Sequence, residues 1–313
     1  NQMNRRRGLA RAAFFIADDH DMSVICTSAF QGVTGASLCH KIRYQLLNFK
    51  DWNALMTLFD LSGKTAIITG STKGIGRAIA SRMAEHGANV VISSRKEDLC
   101  AEVAADINHN WIKGDNRAVS IPCHISHKEQ LQELTDKTLA EFGQIDTLVC
   151  NAAVNPYYGA IQGIPDTAFD RIMETNIRSN HWLCQMVLPH IAKAGGGAAM
   201  IISSVGGLSA GGVLGAYGIS KAADMAMART LAVEWGPQNV TVNAIAPGLV
   251  KTNFARALWE DEERLKRQNT RVPLRRIGEP DEIAGMAVYL ASAAGTFTTG
   301  TTLVIDGGST IAS

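Results

Sequence analysis

Residues Thr65-Ala66-Ile67-Ile68-Thr69 lead without a break into Gly70-Ser71-Thr72-Lys73-Gly74-Ile75-Gly76. The first five are apolar or β-branched, the composition of a short buried strand. The next seven carry three glycines spaced GxxxGxG, and residues 77–86 read as a helix closed by Gly87, which suits the position after a helix end. Strand, glycine turn and helix in that order open a βαβ unit. Glycine lets the backbone turn sharply and approach a pyrophosphate, which then meets free N–H groups at the helix N-terminus. The stretch thus predicts a doubly wound sheet with a dinucleotide at its edge.

Outward from it the alternation repeats. Asn89–Ser93 reads as a second strand, 97–108 as a helix, 118–123 as a third strand, and Lys128–Phe142 as a helix stopped at Gly143. Thr147–Cys150 follows as a fourth strand, then 169–192 as one long helix with Pro189 late in it. The remainder reads as a fifth strand (199–203), a helix (217–235), a sixth strand (240–246), a helix (281–291) and a seventh strand, Thr302–Ile305. The strands are unbroken apolar runs, as a parallel sheet covered on both faces requires. The expected fold is α/β: a Rossmann-type, doubly wound, seven-stranded parallel sheet in a single domain.

Residues 1–55 show no sustained period. Their Arg5-Arg6-Arg7 start fits a transit peptide, but Asp18, Asp19 and Asp21 oppose that, since such peptides lack acids. The alternative is a non-catalytic extension ahead of a natural start at Met56, which leaves 56–313 as the catalytic unit. A formal net charge of +1 over 313 residues gives no reason to expect nucleic acid. No apolar run reaches the ~18 residues of a membrane span. The six cysteines are scattered without a CxxC pair, which fits a reducing, cytoplasmic compartment. His124 and His127 lack a third ligand nearby, so no metal is expected.

Tyr217-Gly218-Ile219-Ser220-Lys221 carries the chemistry. On a helix Tyr217 and Lys221 stand one above the other. An ammonium at ~4 Å and an effective dielectric of ~20 contributes about 4 kcal/mol, on the order of three pK units on the phenol. A hydroxyl from Ser204, thirteen residues upstream, would add the second hydrogen bond that polarises a carbonyl oxygen. Carbonyl reduction is the chemistry such a set performs. Cofactor choice is read at the end of the second strand, where Ser94 and Arg95 stand and no acid awaits a ribose 2′-hydroxyl. Arg95 suits a 2′-phosphate, and Lys73 adds a second cation, so NADP(H) is preferred and NAD(H) remains possible.

With these motifs in order, the chain resembles the short-chain dehydrogenase/reductase superfamily from Leu61 to about Ser309, in its single-domain branch. TGxxxGxG is Thr69–Gly76, the strand-end motif is Cys150-Asn151-Ala152-Ala153, and the helix asparagine is Asn176. Ser204 and YxxxK follow, then Pro247-Gly248 with Thr252, and a closing Asp306-Gly307-Gly308. The resemblance implies that Tyr217 is the acid, Ser204 holds the substrate oxygen, Lys221 tunes the phenol and binds ribose, and Asn176 holds a relay water. It implies cofactor contacts along Gly70–Gly76 and from Ser94, Arg95, His124, Ile125, Asn151, Ala152, Tyr217, Lys221, Pro247, Gly248, Val250 and Thr252. Cys150 and Ala153 depart from the usual asparagine and glycine. His124 replaces an aspartate that often contacts adenine.

Substrate specificity is expected from 154–161, where Asn155, Tyr157 and Tyr158 sit, from 206–216, and from 249–276. The last holds Phe254, Leu258 and Trp259, either an amphipathic lid or a plain surface helix. The leading function is an NADP(H)-dependent carbonyl reductase or secondary-alcohol dehydrogenase on a small molecule, with flavour closest to carbonyl/retinal reductases. The alternatives are a 3-oxoacyl-carrier-protein reductase, kept open by Arg271, Arg275 and Arg276, and a non-catalytic NADP-binding scaffold. Apolar stripes on the Asn176 and Tyr217 helices point, with the resemblance, to a homo-oligomer, a tetramer.

Overall fold

The computed structural model describes residues 58–312, so the expected extension over 1–55 lies outside the described residues. The strands are β1 (Thr65–Thr69), β2 (Asn89–Ser93), β3 (Ala118–Ser120), β4 (Thr147–Cys150), β5 (Gly197–Ile202), β6 (Val240–Pro247) and β7 (Thr302–Ile305). The helices are α1 (Gly74–Glu85), α2 (Glu97–Asn110), α3 (Lys128–Phe142), α4 (Asp166–Met173), α5 (Ser179–Lys193), α6 (Gly215–Trp235), α7 (Arg256–Trp259), α8 (Glu262–Arg271) and α9 (Pro280–Ala291). All strands pair in parallel in the order β3-β2-β1-β4-β5-β6-β7. The chain winds outward from β1 to β3, then crosses back to β4. The order reverses between β1 and β4, and the crevice there is where such sheets bind ligands.

The strands are apolar throughout because alternate side chains enter two cores. Ile68, Val90, Ile92, Val149, Met200 and Ile245 pack against α1, α2 and α9. Ile67, Val91, Leu148, Ile201, Val242 and Ala244 pack against α3, α5 and α6.

Most boundaries agree with the sequence reading, and three differ. Helix α1 begins at Gly74, inside the glycine turn, because Gly74 and Gly76 form its own first residues. Strand β3 ends at Ser120 although Ile121 and Cys123 still donate to the Ile92 and Ser94 carbonyls. Between them Pro122 faces the open edge of the sheet, where its missing N–H costs no ladder bond, so the pairing with β2 runs on past Ser120. The helix expected over 169–192 is broken by a π turn, Glu174–Arg178, between α4 and α5. There the Ser179 hydroxyl donates to the Thr175 carbonyl at 2.5 Å, and Asn180 Nδ2 to the Asn176 carbonyl at 2.6 Å. Single π turns of this kind gather at functional sites. Gly143 stops α3 in the left-handed conformation (φ 76°), as expected.

Candidate active site

Ser204 leaves the C-terminal end of β5 and opens a tight turn, its hydroxyl accepting the Gly206 N–H at 3.1 Å. Helix α6 lies directly on that turn. A Cβ on Gly218 would come within 2.7 Å of the Gly206 carbonyl oxygen, and one on Gly207 within 2.6 Å of the Lys221 carbonyl carbon. One glycine on the helix and one in the turn, each against the backbone of the other segment, thus let the helix sit flush against the turn. The buried Ser203 hydroxyl pins the contact by donating to the Lys221 carbonyl at 2.7 Å. Ser204 and Tyr217, thirteen residues apart, are thereby brought near each other, and the Ser204 hydroxyl acts on the phenol, favouring its ionised form. The Phe254 ring stands over Tyr217, centroids 6.1 Å apart.

Lys221 is 2% exposed. Its Nζ donates to the Ile202 carbonyl at 2.8 Å and to Asp224 Oδ2 at 2.9 Å, and lies 5.6 Å from the Tyr217 ring centroid. Asp224 is itself fully buried and accepts a second bond from Asn180 Nδ2 at 3.1 Å. The expected lowering of the phenol is therefore corrected. Burial lifts Tyr217 above the ordinary tyrosine value; Lys221 and the Ser204 hydroxyl pull it down, the Asp224 charge pushes it up, and the rise prevails. Burial works against the Lys221 ammonium, but Asp224 and the phenol outweigh it and Lys221 is held above its usual value. Burial also lifts Asp224, against Lys221 and Asn180. Lysine helps, as expected, but its charge is already shared.

Asn176, in the π turn, is fully buried, and its side chain clasps the loop after β4. Its Oδ1 accepts the Val154 N–H at 2.9 Å, while Nδ2 donates to the Val154 carbonyl and the Ser220 hydroxyl, both at 3.0 Å. The asparagine so ties the substrate loop to the helix that carries Tyr217.

The glycine turn faces the β1–β4 crevice. Gly70 and Gly74 have φ of 67° and 57°, which other residues rarely adopt. The Asn151 amide donates to the Thr69 carbonyl at 2.8 Å and to Gly70 at 3.2 Å, and the Thr69 hydroxyl receives the N–H groups of Asn151 and Ala152. This stitching is intact despite Cys150 and Ala153. A Cβ on Gly74 would meet Thr252 at 3.2 Å, so the segment after β6 reaches the turn. Pro247 ends β6, Gly248 packs against Asp306 of the closing Asp-Gly-Gly turn, and Val250 is buried.

Among the other expected contacts, the Ser71 side chain is spent inside, donating to the Ile68 carbonyl and accepting the Ser93 N–H. Thr72, Ile75 and Ile125 are half-buried along the crevice, and the Ser94 hydroxyl shares a hydrogen bond with the Cys100 thiol. Burial, then the charges of His127 and Arg95, lower the His124 imidazole. A dinucleotide fits this cradle. The first turn of α1 has no acid and no side-chain cap, so its N–H groups are left for an anion. Lys73 and Arg95 are exposed, and neither is in an ion pair among the described residues.

Two substrate segments meet directly: the Gly159 N–H bonds the Val213 carbonyl at 3.1 Å, and Ile161 fills the space beside Gly215. The third segment arrives through Phe254. Trp259 donates its indole N–H to the Thr252 carbonyl at 3.0 Å, which couples α7 to the cofactor side. Asn155 Oδ1 is buried with no hydrogen-bond partner. The sequence reading missed Asp224 and Asn180. Their signal was positional: Asp224 follows Tyr217 by seven residues, on the same helix face, amid small and apolar neighbours.

Comparison with known proteins agrees with this geometry. A family model described as enoyl-(acyl carrier protein) reductase matches residues 70–310. The human protein called dehydrogenase/reductase SDR family member 4 is 36% identical over 277 residues, covering 86% of this chain and 98% of that relative. Its Bos taurus counterpart is 38% identical over 250 residues, 80% of this chain and 88% of the relative. Among solved structures, a 7α-hydroxysteroid dehydrogenase complexed with NADH and 7-oxo-glycochenodeoxycholic acid superposes with a TM-score of 0.76 at 32% identity, covering 80% of this chain and 96% of its own. A Burkholderia cenocepacia gluconate 5-dehydrogenase in complex with NADP and tartrate gives 0.78 at 30% identity, over 83% and 100%. This chain belongs to the short-chain dehydrogenase/reductase family, whose members are oxidoreductases acting on CH–OH groups with a nicotinamide cofactor.

Proposed function

We propose that this short-chain dehydrogenase/reductase interconverts a small-molecule ketone or aldehyde and its alcohol, with NADP(H) as preferred cofactor. The observation that carries the reading is the meeting of Ser204, Tyr217 and Lys221 beside the glycine turn, beneath Phe254. Gly70–Gly76, Asn151 and Thr252 would hold the cofactor, with Arg95 and Lys73 on a 2′-phosphate. The nicotinamide supplies or accepts the hydride when bound.

The residues do the rest. In reduction, Ser204 and Tyr217 hydroxyls polarise the carbonyl oxygen, and Tyr217 gives its proton as the alkoxide forms. A phenol held above its ordinary value is fully protonated at neutral pH, the state reduction needs. Oxidation runs the same step in reverse, with the phenolate as the base that takes the alcohol proton. Asn176 fixes the loop that shapes the substrate end.

The acyl-carrier reading loses support because Arg276, one of three arginines that kept it open, is committed to Glu282 at 2.6 Å. We also propose that residues 1–55 are dispensable, that the chain assembles as a homotetramer, and that it works in the cytoplasm. No described helix is long and apolar enough to cross a membrane. The test of function is NADPH consumption across ketones, aldehydes, retinal and acetoacetyl thioesters. Turnover of a free carbonyl compound is expected; turnover confined to carrier-linked thioesters, or none at all, would overturn the reading.

A further inference from the structure

A carboxylate with no exposed surface is placed where the expected chemistry has no use for one. Asp224 lies one turn beyond Lys221 on α6, and its two oxygens are divided between the Lys221 ammonium (2.9 Å) and Asn180 Nδ2 (3.1 Å). Asn180 is held in turn by the Asn176 carbonyl at 2.6 Å, in the π turn. The chain Lys221–Asp224–Asn180–Asn176 therefore joins β5, α6, α5 and the π turn through side chains that are all nearly or wholly buried. Two of them, β5 and α6, meet at the ammonium itself. Simple packing would not need a charge there, since a buried carboxylate is costly unless paired and hydrogen-bonded.

We propose that Asp224, braced by Asn180, is a positioning residue of this site: it anchors the Lys221 ammonium against β5 and cancels its charge next to Tyr217. The proposal rests on the catalytic reading of Tyr217 and Lys221 above. With Asp224 ionised, the cluster is neutral while Tyr217 keeps its proton, and losing that proton buries a net negative charge. With a neutral residue at 224 the cluster carries one positive charge, and the phenolate neutralises it. The groups titrate together. The other titratable groups against this cluster are the Cys150 thiol of β4 and the Cys184 thiol of α5. The hydrogen bond to Cys184, and then burial, hold Cys150 far above the usual thiol range, so it adds no charge. Ser204, from the turn after β5, carries no charge and only pulls the phenol down.

The test compares the wild type with Asp224→Asn and with Asp224→Ala, whose smaller side chain leaves no amide facing Asn180. Two readouts are taken: the pH dependence of carbonyl reduction at saturating NADPH, and a cofactor-free titration of phenolate absorbance, each variant against its own Tyr217→Phe. In the variants both the alkaline limb and the phenolate should move to lower pH by about one to three units, the span of one charge at this range. A purely structural role would reduce stability or the amount of active protein and leave both positions unchanged. Unmoved titrations in folded variants would overturn the proposal. Should neither variant fold, Asn180→Ala decides, since it removes the brace and keeps the carboxylate: movement of both titrations to lower pH supports the clamp, and unmoved titrations overturn it. A wild type without turnover would sink the catalytic reading, while the absorbance titration still tests the clamp.

Discussion

Replacing Gly207 by alanine adds one methyl group and probes the placement of Ser204 against Tyr217. A Cβ there would stand 2.6 Å from the Lys221 carbonyl carbon and 2.7 Å from the Ala222 nitrogen, where ordinary contact begins at 3.4 Å, a shortfall of about 0.8 Å. Both obstacles are helix backbone, so no side chain can swing aside. Gly207 does not occupy the left-handed region, so the effect is steric contact alone. Overpacking of this size costs about 1–3 kcal/mol. The turn can relieve it only by lifting off α6, which carries Ser204 away from the phenol. A displacement approaching 1 Å at reacting groups costs about 10²-fold in rate. Gly211→Ala in the same loop is the control, since nothing lies within 4 Å of its Cβ. The expected outcome for Gly207→Ala is a lower urea midpoint and a kcat reduced at least tenfold, with NADPH affinity near that of the wild type. Stability and kcat equal to those of Gly211→Ala would refute the close approach and the account of how Ser204 is placed.

Two further outcomes follow from other parts of the molecule. Arg95→Ala should weaken NADPH by about 1.5–3 kcal/mol, the worth of a charged hydrogen bond, and leave NADH almost unchanged, as measured by fluorescence titration. A wild type that prefers NADH would contradict the phosphate reading. Glu282 is drawn down to about 2 by the Arg276 guanidinium and then by the Glu279 N–H of the α9 capping box. A depressed carboxylate stabilises the fold above its ordinary value of 4.5 and loses that contribution as pH falls through about 2. Glu282→Gln should therefore lower the Tm at neutral pH, and the gap from wild type should close on acidification. With the carboxylate side chain 41% exposed, about 1 kcal/mol is the most to expect; a gap that widens in acid would be wrong in sign.

The sheet was legible because buried parallel strands must be apolar on both faces, and Thr65–Thr69, Asn89–Ser93 and Thr147–Cys150 are. Gly143 marked a helix end for a conformational reason, and Gly74 misled for another, since a glycine turn and a helical first turn share residues. The π turn at Glu174–Arg178 was illegible because what holds Asn176 and Asn180 there comes from far along the chain, Val154, Ser220 and Asp224, which no local period reveals. Within the site, Ser204, Tyr217 and Lys221 could be found from chemistry and spacing. The state of the phenol could not. Coulomb's law between two residues gave a lowered value, and burial, with the charge of Asp224 added to it, reversed the sign. Pair arguments on a sequence omit the burial, and the counter-charge, that only packing supplies.

The account stands or falls on Tyr217 as proton donor. Tyr217→Phe keeps the ring against Phe254 and leaves the glycine turn, Asn151 and Thr252 untouched. The measurement is single-turnover reduction of the best carbonyl substrate with pre-bound NADPH, alongside NADPH binding by fluorescence. The account predicts unchanged cofactor binding and a rate lowered by about 10²–10⁴, the contribution of a general acid. Near-normal reduction in a variant that binds NADPH would contradict it.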